Sequence, residues 1–518
     1  MRENGQADLT HDLILPTLLF AALGGMVWAI RGCSGFGAMN GCIFAGVTWG
    51  AGWWFIARDP SGMQSRRYAS AWIILALTIG IGISGARGWM QWPSFFNGHL
   101  QTDAGKNEWV PISRAYGFLW LFIAGVPWAG IGACMLAWCG SKCPTRIWHW
   151  ILRIACGVGG GYLATVLFLR FPEVFLPLYK SMHAQYDVFL DFLRAGKSMP
   201  KSGLPNPNLA RLIGDCRSAI MHLGVFLGFL LFELGRRDWK NVTLISTVGL
   251  LNGLGWSLCQ NWQWASRVWP GANFNFWRCW ESSGGISIGI AYGLAYYLVN
   301  RRMSEEEKAL QSKPLGGGRM SIEWLGIYLI LLATLGFFAL VQYGLTWAPI
   351  YLAIGIVFGI AYYVLNRKTP EETPLSGNDP NIERLALHLG LLVGLGLSIR
   401  NGLKGWFNIY VGNEDYWSGV LWMYLRPITF VFLVALVAWV LLRRFPRSFQ
   451  GDVFPHAYGI VWLVLITQNL IAQLVTGPPT AWNEIVFSFY YVLLFLISAV
   501  IIYHFHFVKT RCPHAMSS

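Results

Sequence analysis

Long apolar runs alternate with short polar segments along the whole chain. Fourteen of these runs are long enough to cross the hydrocarbon core of a bilayer, which is about 30 Å thick. They span residues 13–30, 38–57, 69–86, 115–138, 148–169, 217–235, 241–259, 284–300, 322–341, 348–366, 383–400, 417–442, 456–474 and 484–506. The pattern predicts an all-α polytopic membrane protein, because the strands of a membrane β-barrel would alternate in segments of about ten residues.

Arginine and lysine residues follow every even-numbered run. They are Arg58, Arg66, Arg67, Lys142, Arg146, Arg153, Arg236, Arg237, Lys240, Arg301, Arg302, Arg367, Lys368, Arg443, Arg444, Arg447, Lys509 and Arg511. Because basic residues accumulate in cytoplasmic loops, we expect these loops and both termini in the cytoplasm, with the chain in a bacterial inner (plasma) membrane. The loops between each odd run and the next even run would then face outward.

The runs also repeat. SIGIAYGLAYYLVNR at 287–301 and AIGIVFGIAYYVLNR at 353–367 match almost position for position. An arginine or glutamine stands near the outer end of each odd run, and three of these runs share a Gly-x-Gly-x-Ser pattern just before it. These residues are Arg31, Arg87, Arg170, Gln260, Gln342, Arg400 and Gln468.

These repeats predict seven copies of one helical hairpin, which form a single transmembrane domain over residues 1–518. Small residues let membrane helices approach closely, and 59 glycines suit such packing. Equivalent hairpins with short connections would pack as a ring or an arc, and a closed ring would place every arginine and glutamine around one funnel. A transporter bundle with inverted halves would instead show repeats of opposite orientation.

Composition agrees with a membrane protein and excludes other classes. The chain is 55% hydrophobic and 12% charged, and its mean hydropathy is +0.45. We attribute the net charge of +14 to the topology of the loops, so no nucleic-acid partner is expected. No spacing of histidine, cysteine or acidic residues predicts a metal, and no motif predicts a cofactor. Membrane lipid is an expected partner, and the oligomeric state is left open.

The outward loops are rich in tryptophan. Candidate substrate-binding rings are Trp262, Trp264, Trp277, Trp280, Trp406 and Trp417. Indole faces beside amides, guanidinium groups and carboxylates are typical of sugar binding, so a glycan or glycolipid is the expected substrate. Tryptophans also anchor helices at membrane interfaces, and carboxylates cap helix N-termini, which is the alternative interpretation of any single residue here.

Carboxylates in these loops could carry glycoside chemistry, which needs one acid and one base or nucleophile. Glu281 stands among tryptophans and is the candidate acid, and Glu414 or Asp415 is the candidate base or nucleophile. Glu108, Glu173 and Glu484 are further candidates. Substrate-binding polar residues would be Arg31, Arg87, Gln260, Arg400 and Asn401.

The longest outward loop, residues 171–216, carries an approximate helical stripe of apolar residues. Such a segment could lie on the membrane surface as an amphipathic helix. It could equally cover the mouth of the funnel as a lid.

The hairpin count and the loop chemistry resemble the α/α toroids, rings of helical hairpins found in many carbohydrate-processing enzymes. The resemblance concerns architecture and no residue motif, and here the ring would be embedded in a membrane. It implies carboxylates and aromatic residues at one end of the ring. The first hypothesis is therefore a glycoside hydrolase acting on a glycan or glycolipid at the outer face. A transporter or flippase for a sugar-containing or anionic lipid-linked substrate is the second, and a structural or sensory membrane subunit is the third.

The topology can be tested with reporter fusions. A reporter fused after Arg301 or Arg367 should read as cytoplasmic, and one inserted at Gly271 or Asn413 should read as external, because basic loops stay inside. An external signal at Arg301 would contradict the hairpin scheme.

Overall fold

The computed structural model describes residues 9–33, 39–57, 66–70, 72–84, 98–103, 108–111, 113–140, 146–175, 207–272, 274–304, 306–308, 466, 469–470, 473 and 482–505. These residues are predominantly helical. The predicted runs at 322–341, 348–366, 383–400 and 417–442 lie outside the described residues, as does most of the run at 456–474.

Nine long helices coincide with predicted runs within the described part of the chain. A π-helical turn at Thr10–Ile14 continues directly into the first of them. The helices are α1 (Leu15–Cys33), α2 (Met39–Ala57), α3 (Trp72–Ser84), α4 (Ala115–Gly140), α5 (Ile147–Arg170), α6 (Pro207–Gly235), α7 (Trp239–Cys259), α8 (Phe276–Asn300) and α9 (Trp482–Tyr503).

Six membrane-length apolar helices occur among the described residues: Thr10–Arg31, Ala115–Gly140, Trp148–Arg170, Gly214–Gly235, Trp239–Trp262 and Trp482–Tyr503. Two shorter apolar helices, Gly41–Ala57 and Trp72–Gly82, accompany them. An isolated helix of about 20 apolar residues spans a bilayer, so the described helices are those of a membrane protein.

Short elements connect the helices. Strands β1 (His99–Asp103) and β2 (Glu108–Pro111) pair antiparallel between α3 and α4. The loop predicted over 171–216 contains a helical turn at Pro172–Phe175, and its last ten residues belong to α6 instead. A 3₁₀-helix at Gln260–Trp264 and a helical turn at Ala265–Val268 follow α7.

Six helices pack in a closed circuit. Going around it, α1 contacts α2, α2 contacts α3, α3 contacts α4, α4 contacts α7, α7 contacts α8, and α8 contacts α1. The hairpin of α5 and α6 lies outside this circuit, where α6 packs on α4 and α5 packs on α6. The hairpins are therefore not equivalent in this part of the chain. The last described helix, α9, packs against the first, α1.

The closest contact in the circuit joins α1 and α8. A Cβ atom added to Gly285 would lie 2.0 Å from the Gly24 carbonyl oxygen, and one added to Gly289 would lie 2.1 Å from the Phe20 carbonyl oxygen. A Cβ on Gly293 would lie 2.5 Å from Thr17 Cα. Residue numbers rise along α8 as they fall along α1, so the two helices are antiparallel and in backbone contact.

This packing gives the bundle two distinct ends. The end that carries Arg31 of α1 and Phe276 of α8 is called the Arg31 end below. The opposite end, which carries Asp12 and Asn300, is called the Asn300 end.

The α1–α8 contact predicts the effect of one added methyl group. Gly285→Ala should lower the free energy of unfolding by about 1–3 kcal/mol, because the helices must separate to accommodate it. Thermal unfolding in detergent measures the loss. Gly159→Ala on α5 is the matched control, since its Cβ meets no atom within 4 Å and alanine favours the helix. Equal effects of the two substitutions would contradict the close contact.

Candidate substrate site

The antiparallel contact of α1 and α8 brings two opposite charges together inside the bundle. Arg31 lies in the last turn of α1, and Glu281 is the sixth residue of α8. Arg31 Nη1 lies 3.5 Å from Glu281 Oε2, and both side chains are buried, with exposed fractions of 5% and 1%. Charged side chains within a membrane domain are costly and mark functional sites by default, so this pair is the centre of the candidate site.

Glu281 does not cap a helix. We predicted a helix from residue 284, but α8 begins at Phe276, and its cap is Asn275, whose side chain accepts a hydrogen bond from Arg278 N at 3.1 Å. The additional turns include Trp277 and Trp280, which the sequence predicts in a loop. The capping interpretation of Glu281 is therefore wrong, because this carboxylate lies more than one turn beyond the cap.

The guanidinium group of Arg31 is held from several sides. Its Nε donates a hydrogen bond to Cys42 Sγ at 3.3 Å. Its Cζ lies 5.0 Å from the ring centroid of Trp28 and 5.7 Å from that of Trp128. Planar stacking on aromatic faces is a property that lysine does not share, so these contacts fix the orientation of the guanidinium plane as well as its charge.

Glu281 retains its acceptor capacity. Among the described residues, neither of its carboxylate oxygens accepts a hydrogen bond, although the residue is fully buried. A buried acceptor that makes no hydrogen bond costs roughly 1–3 kcal/mol, and more when it is charged. The Arg31–Glu281 pair is therefore not saturated, and the carboxylate can accept a hydroxyl or another polar donor without breaking an existing hydrogen bond.

Tryptophan rings form a continuous wall beside this pair. The centroid distances are 6.1 Å for Trp28–Trp128, 4.6 Å for Trp128–Trp256, 5.2 Å for Trp256–Trp280 and 4.7 Å for Trp280–Trp277. Trp280 is fully buried, whereas Trp277 is 38% exposed. The wall thus extends from the interior of the bundle to the surface at the Arg31 end.

Gln260 contributes a second unsaturated polar group. It follows Trp256 by one turn, at the junction of α7 and the 3₁₀-helix, and is fully buried. Its amide oxygen and nitrogen make no hydrogen bond to any described residue. The 3₁₀-helix that begins at Gln260 contacts α8, which carries Trp280 and Glu281. The Gln260 amide can both donate and accept a hydrogen bond there.

Only some of the predicted site residues come together. Arg31, Glu281, Gln260 and Trp280 are buried at the Arg31 end. Trp262 is 36% exposed, and Trp264 stacks with the guanidinium of Arg114 at 5.3 Å. The remaining predicted residues Arg87, Arg400, Asn401, Trp406, Glu414, Asp415 and Trp417 lie outside the described residues.

Three further candidates lie elsewhere. Arg170, predicted to face the funnel, is exposed at the end of α5, and Glu173 is exposed just beyond it. Glu484 forms an ion pair with Arg278 near the start of α8. This last pair is partly exposed, with side-chain exposures of 13% for Arg278 and 32% for Glu484, so Glu484 has a structural partner already.

Sequence reasoning missed several residues of the site. Trp28, Trp128 and Trp256 belong to apolar runs, where a tryptophan gives no separate signal, and Cys42 stands in no motif. It also missed a second buried ion pair at the Asn300 end, where Arg153 Nε lies 2.9 Å from Glu233 Oε1. A signal for this pair existed, because both residues lie within apolar runs, where a charge requires a partner.

No protein-family model, no curated protein and no solved structure matches this chain.

The ion pair predicts a strong coupling between its members. Arg31→Met or Glu281→Leu should each cost about 3–5 kcal/mol of unfolding free energy, because each leaves a buried charge without its partner. The double variant should recover most of that loss, since it removes both charges together. Chemical denaturation of the four proteins in detergent measures the coupling.

The partly exposed pair Arg278–Glu484 provides the control. Its double-mutant cycle should give a coupling of about 1 kcal/mol or less, as exposed pairs do. Additive losses at Arg31 and Glu281 would show that the two charges do not interact.

Proposed function

We propose that the protein is a carbohydrate-active membrane enzyme, a glycoside hydrolase, with its site at the Arg31 end of the bundle. The observation that carries the proposal is Glu281, a fully buried carboxyl group that accepts no hydrogen bond from the described residues. It lies next to Trp280, at the inner part of a tryptophan wall that reaches the surface at Trp277. A carboxyl group in an aromatic, water-poor setting suits the role of general acid.

The roles follow from this arrangement. To act as the acid, Glu281 must be protonated, so its ion pair with Arg31 would have to open when the substrate binds. Glu281 would then protonate the leaving oxygen of the glycosidic bond, and a second carboxylate would act as base or nucleophile. Glu414 and Asp415 remain our candidates for that second group. Trp277 and Trp280 would stack on the sugar rings, and Arg31 and Gln260 would donate hydrogen bonds to its hydroxyl groups.

Access to Glu281 requires a local movement, since the residue is buried. The 3₁₀-helix Gln260–Trp264, which contacts α8, and the short turn Ala265–Val268 that follows it are the elements that we propose to move. Lid movements of this kind commonly admit substrate and exclude water. The exposed Trp277 and Trp262 would make the first contact with the glycan before that movement.

The orientation rests on the basic residues. Five arginines follow helices that terminate at the Asn300 end, namely Arg66, Arg67, Arg236, Arg301 and Arg302. The positive-inside rule assigns that end to the cytoplasm, so the Arg31 end faces the periplasm or the exterior. A bacterial inner membrane with both termini inside is consistent with this orientation.

We also propose that the chain between α8 and α9 continues as further hairpins, which would give the fourteen spans predicted from the sequence. The packing of α9 on α1 supports a position of these hairpins next to α1. Because α8 already closes the six-helix circuit on α1, the additional hairpins would pack outside that circuit. Arg400 and Asn401 would then reach the Arg31 end from one of these additional hairpins.

Transport by a transporter or flippase is the second candidate, and the complete burial of the Arg31–Glu281 pair favours it, because transporters occlude their sites. The packing between the Arg31–Glu281 pair and the Asn300 end favours the enzyme instead. The hydroxyl of Tyr292 donates to Ala129 O at 3.3 Å, and that of Tyr296 donates to Ile56 O at 3.1 Å. These buried polar groups bond to helix backbones, so they line no polar route from the site to the Asn300 end.

A hydrolysis assay tests the proposal. Purified protein is incubated with a panel of glycans and glycolipids, and released sugar is measured. Glu281→Gln should reduce the rate by a factor of about 100 or more, because the amide cannot transfer the proton. Trp277→Ala should raise KM with less effect on kcat, since it removes stacking at the surface.

Glu173→Gln is the matched control, because Glu173 is an exposed carboxylate beyond the end of α5, and its turnover should equal that of the wild type. Thermal unfolding confirms that each variant is folded. Normal turnover by folded Glu281→Gln protein would remove Glu281 from the acid role. Uptake of a labelled glycolipid into proteoliposomes, without any released sugar, would support the transporter instead.

A further inference from the structure

The hairpin of α5 and α6 has an outer surface suited to lipid. Its exposed apolar side chains include Val158, Tyr162 and Leu163 on α5, and Leu227 and Leu231 on α6. Their exposed fractions range from 44% to 73%. Within a membrane these side chains contact acyl chains, so this hairpin lies at the lipid-facing periphery of the described bundle.

Arginine and histidine side chains from α5 and from the end of α6 lie near the ring of Phe232, at the Asn300 end of this hairpin. The guanidinium of Arg153 lies 5.5 Å from the centroid of Phe232, and that of Arg236 lies 5.9 Å from it. The imidazole of His149 is 6.4 Å from the same ring. Arg146 immediately precedes α5 and is exposed, and its backbone N–H donates a hydrogen bond to His149 Nδ1 at 3.1 Å.

This cluster carries more positive than negative charge. Glu233 is its carboxylate, and both of its oxygens are already engaged. Oε1 accepts from Arg153 Nε at 2.9 Å, and Oε2 accepts from Asn241 Nδ2 at 3.0 Å and lies 3.7 Å from Arg236 Nη1. One carboxylate is therefore shared by two arginines.

Arg153 also keeps a donor available. The side chain is 1% exposed, yet its Nη1 donates to no acceptor among the described residues. Its guanidinium also lies 4.9 Å from the ring centroid of Trp138 and 5.3 Å from that of Trp150. A buried guanidinium donor normally finds an acceptor, and the excess positive charge of the cluster favours an anion in that role. Arg236, at the rim of the cluster, is 20% exposed, which gives an anion access from the membrane surface.

The position of the cluster identifies the kind of anion. Trp148, which precedes His149, is 46% exposed, and Trp239, three residues after Arg236, is 62% exposed. Exposed tryptophans at helix ends mark the headgroup level of a bilayer. The cluster thus lies at the depth of lipid phosphates, directly beyond the apolar surface of α5 and α6.

We propose that Arg146, His149, Arg153 and Arg236 form a binding site for the phosphate of an anionic phospholipid, whose acyl chains lie along α5 and α6. Basic pockets between membrane helices bind anionic headgroups in this way. The lipid would hold the α5–α6 hairpin against the rest of the bundle, to which it is attached through the contacts of α6 with α4 and α7. The site lies at the opposite end of the bundle from Arg31 and Glu281 and does not depend on their function.

Thermal unfolding of delipidated protein in detergent tests the site. Phosphatidylglycerol should raise the unfolding midpoint more than phosphatidylcholine with the same acyl chains. Arg236→Gln should weaken the response to phosphatidylglycerol, so that about five times more lipid gives the same shift, as expected for the loss of one interfacial arginine. Arg146→Gln should act in the same direction, and the two together should abolish the preference.

Arg302→Gln is the matched control, because Arg302 is an exposed arginine at the Asn300 end, beyond α8, and its response should equal that of the wild type. Arg153 is left intact, since its loss would unpair the buried Glu233. The site is overturned if Arg302→Gln weakens the response as much as Arg236→Gln, or if phosphatidylcholine stabilises equally. An equal shift from soluble glycerol phosphate would make the ligand a free anion and would also overturn the lipid proposal.

Discussion

The backbone contact between α1 and α8 is the constraint on which the rest of the described structure depends. No hydrophobic force draws helices together within a membrane, so association relies on close packing and on polar contacts. Gly24 and Gly285 permit that approach by lacking side chains, and any larger residue would displace both helices. The same contact places Arg31 opposite Glu281 and brings Trp28 beside Trp256, at 6.2 Å between ring centroids. One pair of glycines therefore determines both the packing of the circuit and the geometry of the candidate site.

Aromatic side chains fill the space between these helices, and their polar atoms fix the position of each helix along its axis relative to its neighbours. The indole of Trp49 donates to Phe20 O at 3.2 Å, and the hydroxyls of Tyr292 and Tyr296 donate to carbonyls of α4 and α2. Each bond joins two different helices, so none can slide along its axis without losing a hydrogen bond in a medium that offers no water in exchange. These hydrogen bonds therefore fix the register of the helices between the two ends of the bundle.

The helices could be predicted from the sequence because hydropathy alone sets their existence, and each described long helix coincides with a predicted run. Their ends were less predictable. The start of α8 lies eight residues before the predicted one, because Trp277, Arg278 and Glu281 are typical of loops and the complete burial of Trp280 and Glu281 cannot be recognised from the sequence. The sequence predicts that Arg31 and Glu281 lie at the same end of the bundle, because both stand near outward loops. The partnership itself could not be predicted, because it depends on the Gly24–Gly285 contact between helices distant in sequence.

The two buried ion pairs differ in a way that separates stability from function. At the Asn300 end, Glu233 has both oxygens engaged, by Arg153 and Asn241, and Asn241 in turn accepts from the Tyr68 hydroxyl at 2.9 Å. This carboxylate is part of a network that holds α5, α6 and α7 together, and a further ligand for it would be superfluous. At the Arg31 end, the carboxylate of Glu281 faces one guanidinium at 3.5 Å and accepts no hydrogen bond from the described residues. An unsaturated buried carboxylate costs stability that packing elsewhere must offset. A protein retains such a cost most readily where the group acts on a substrate, and for that reason the proposed chemistry is centred on Glu281, whereas the network around Glu233 is structural.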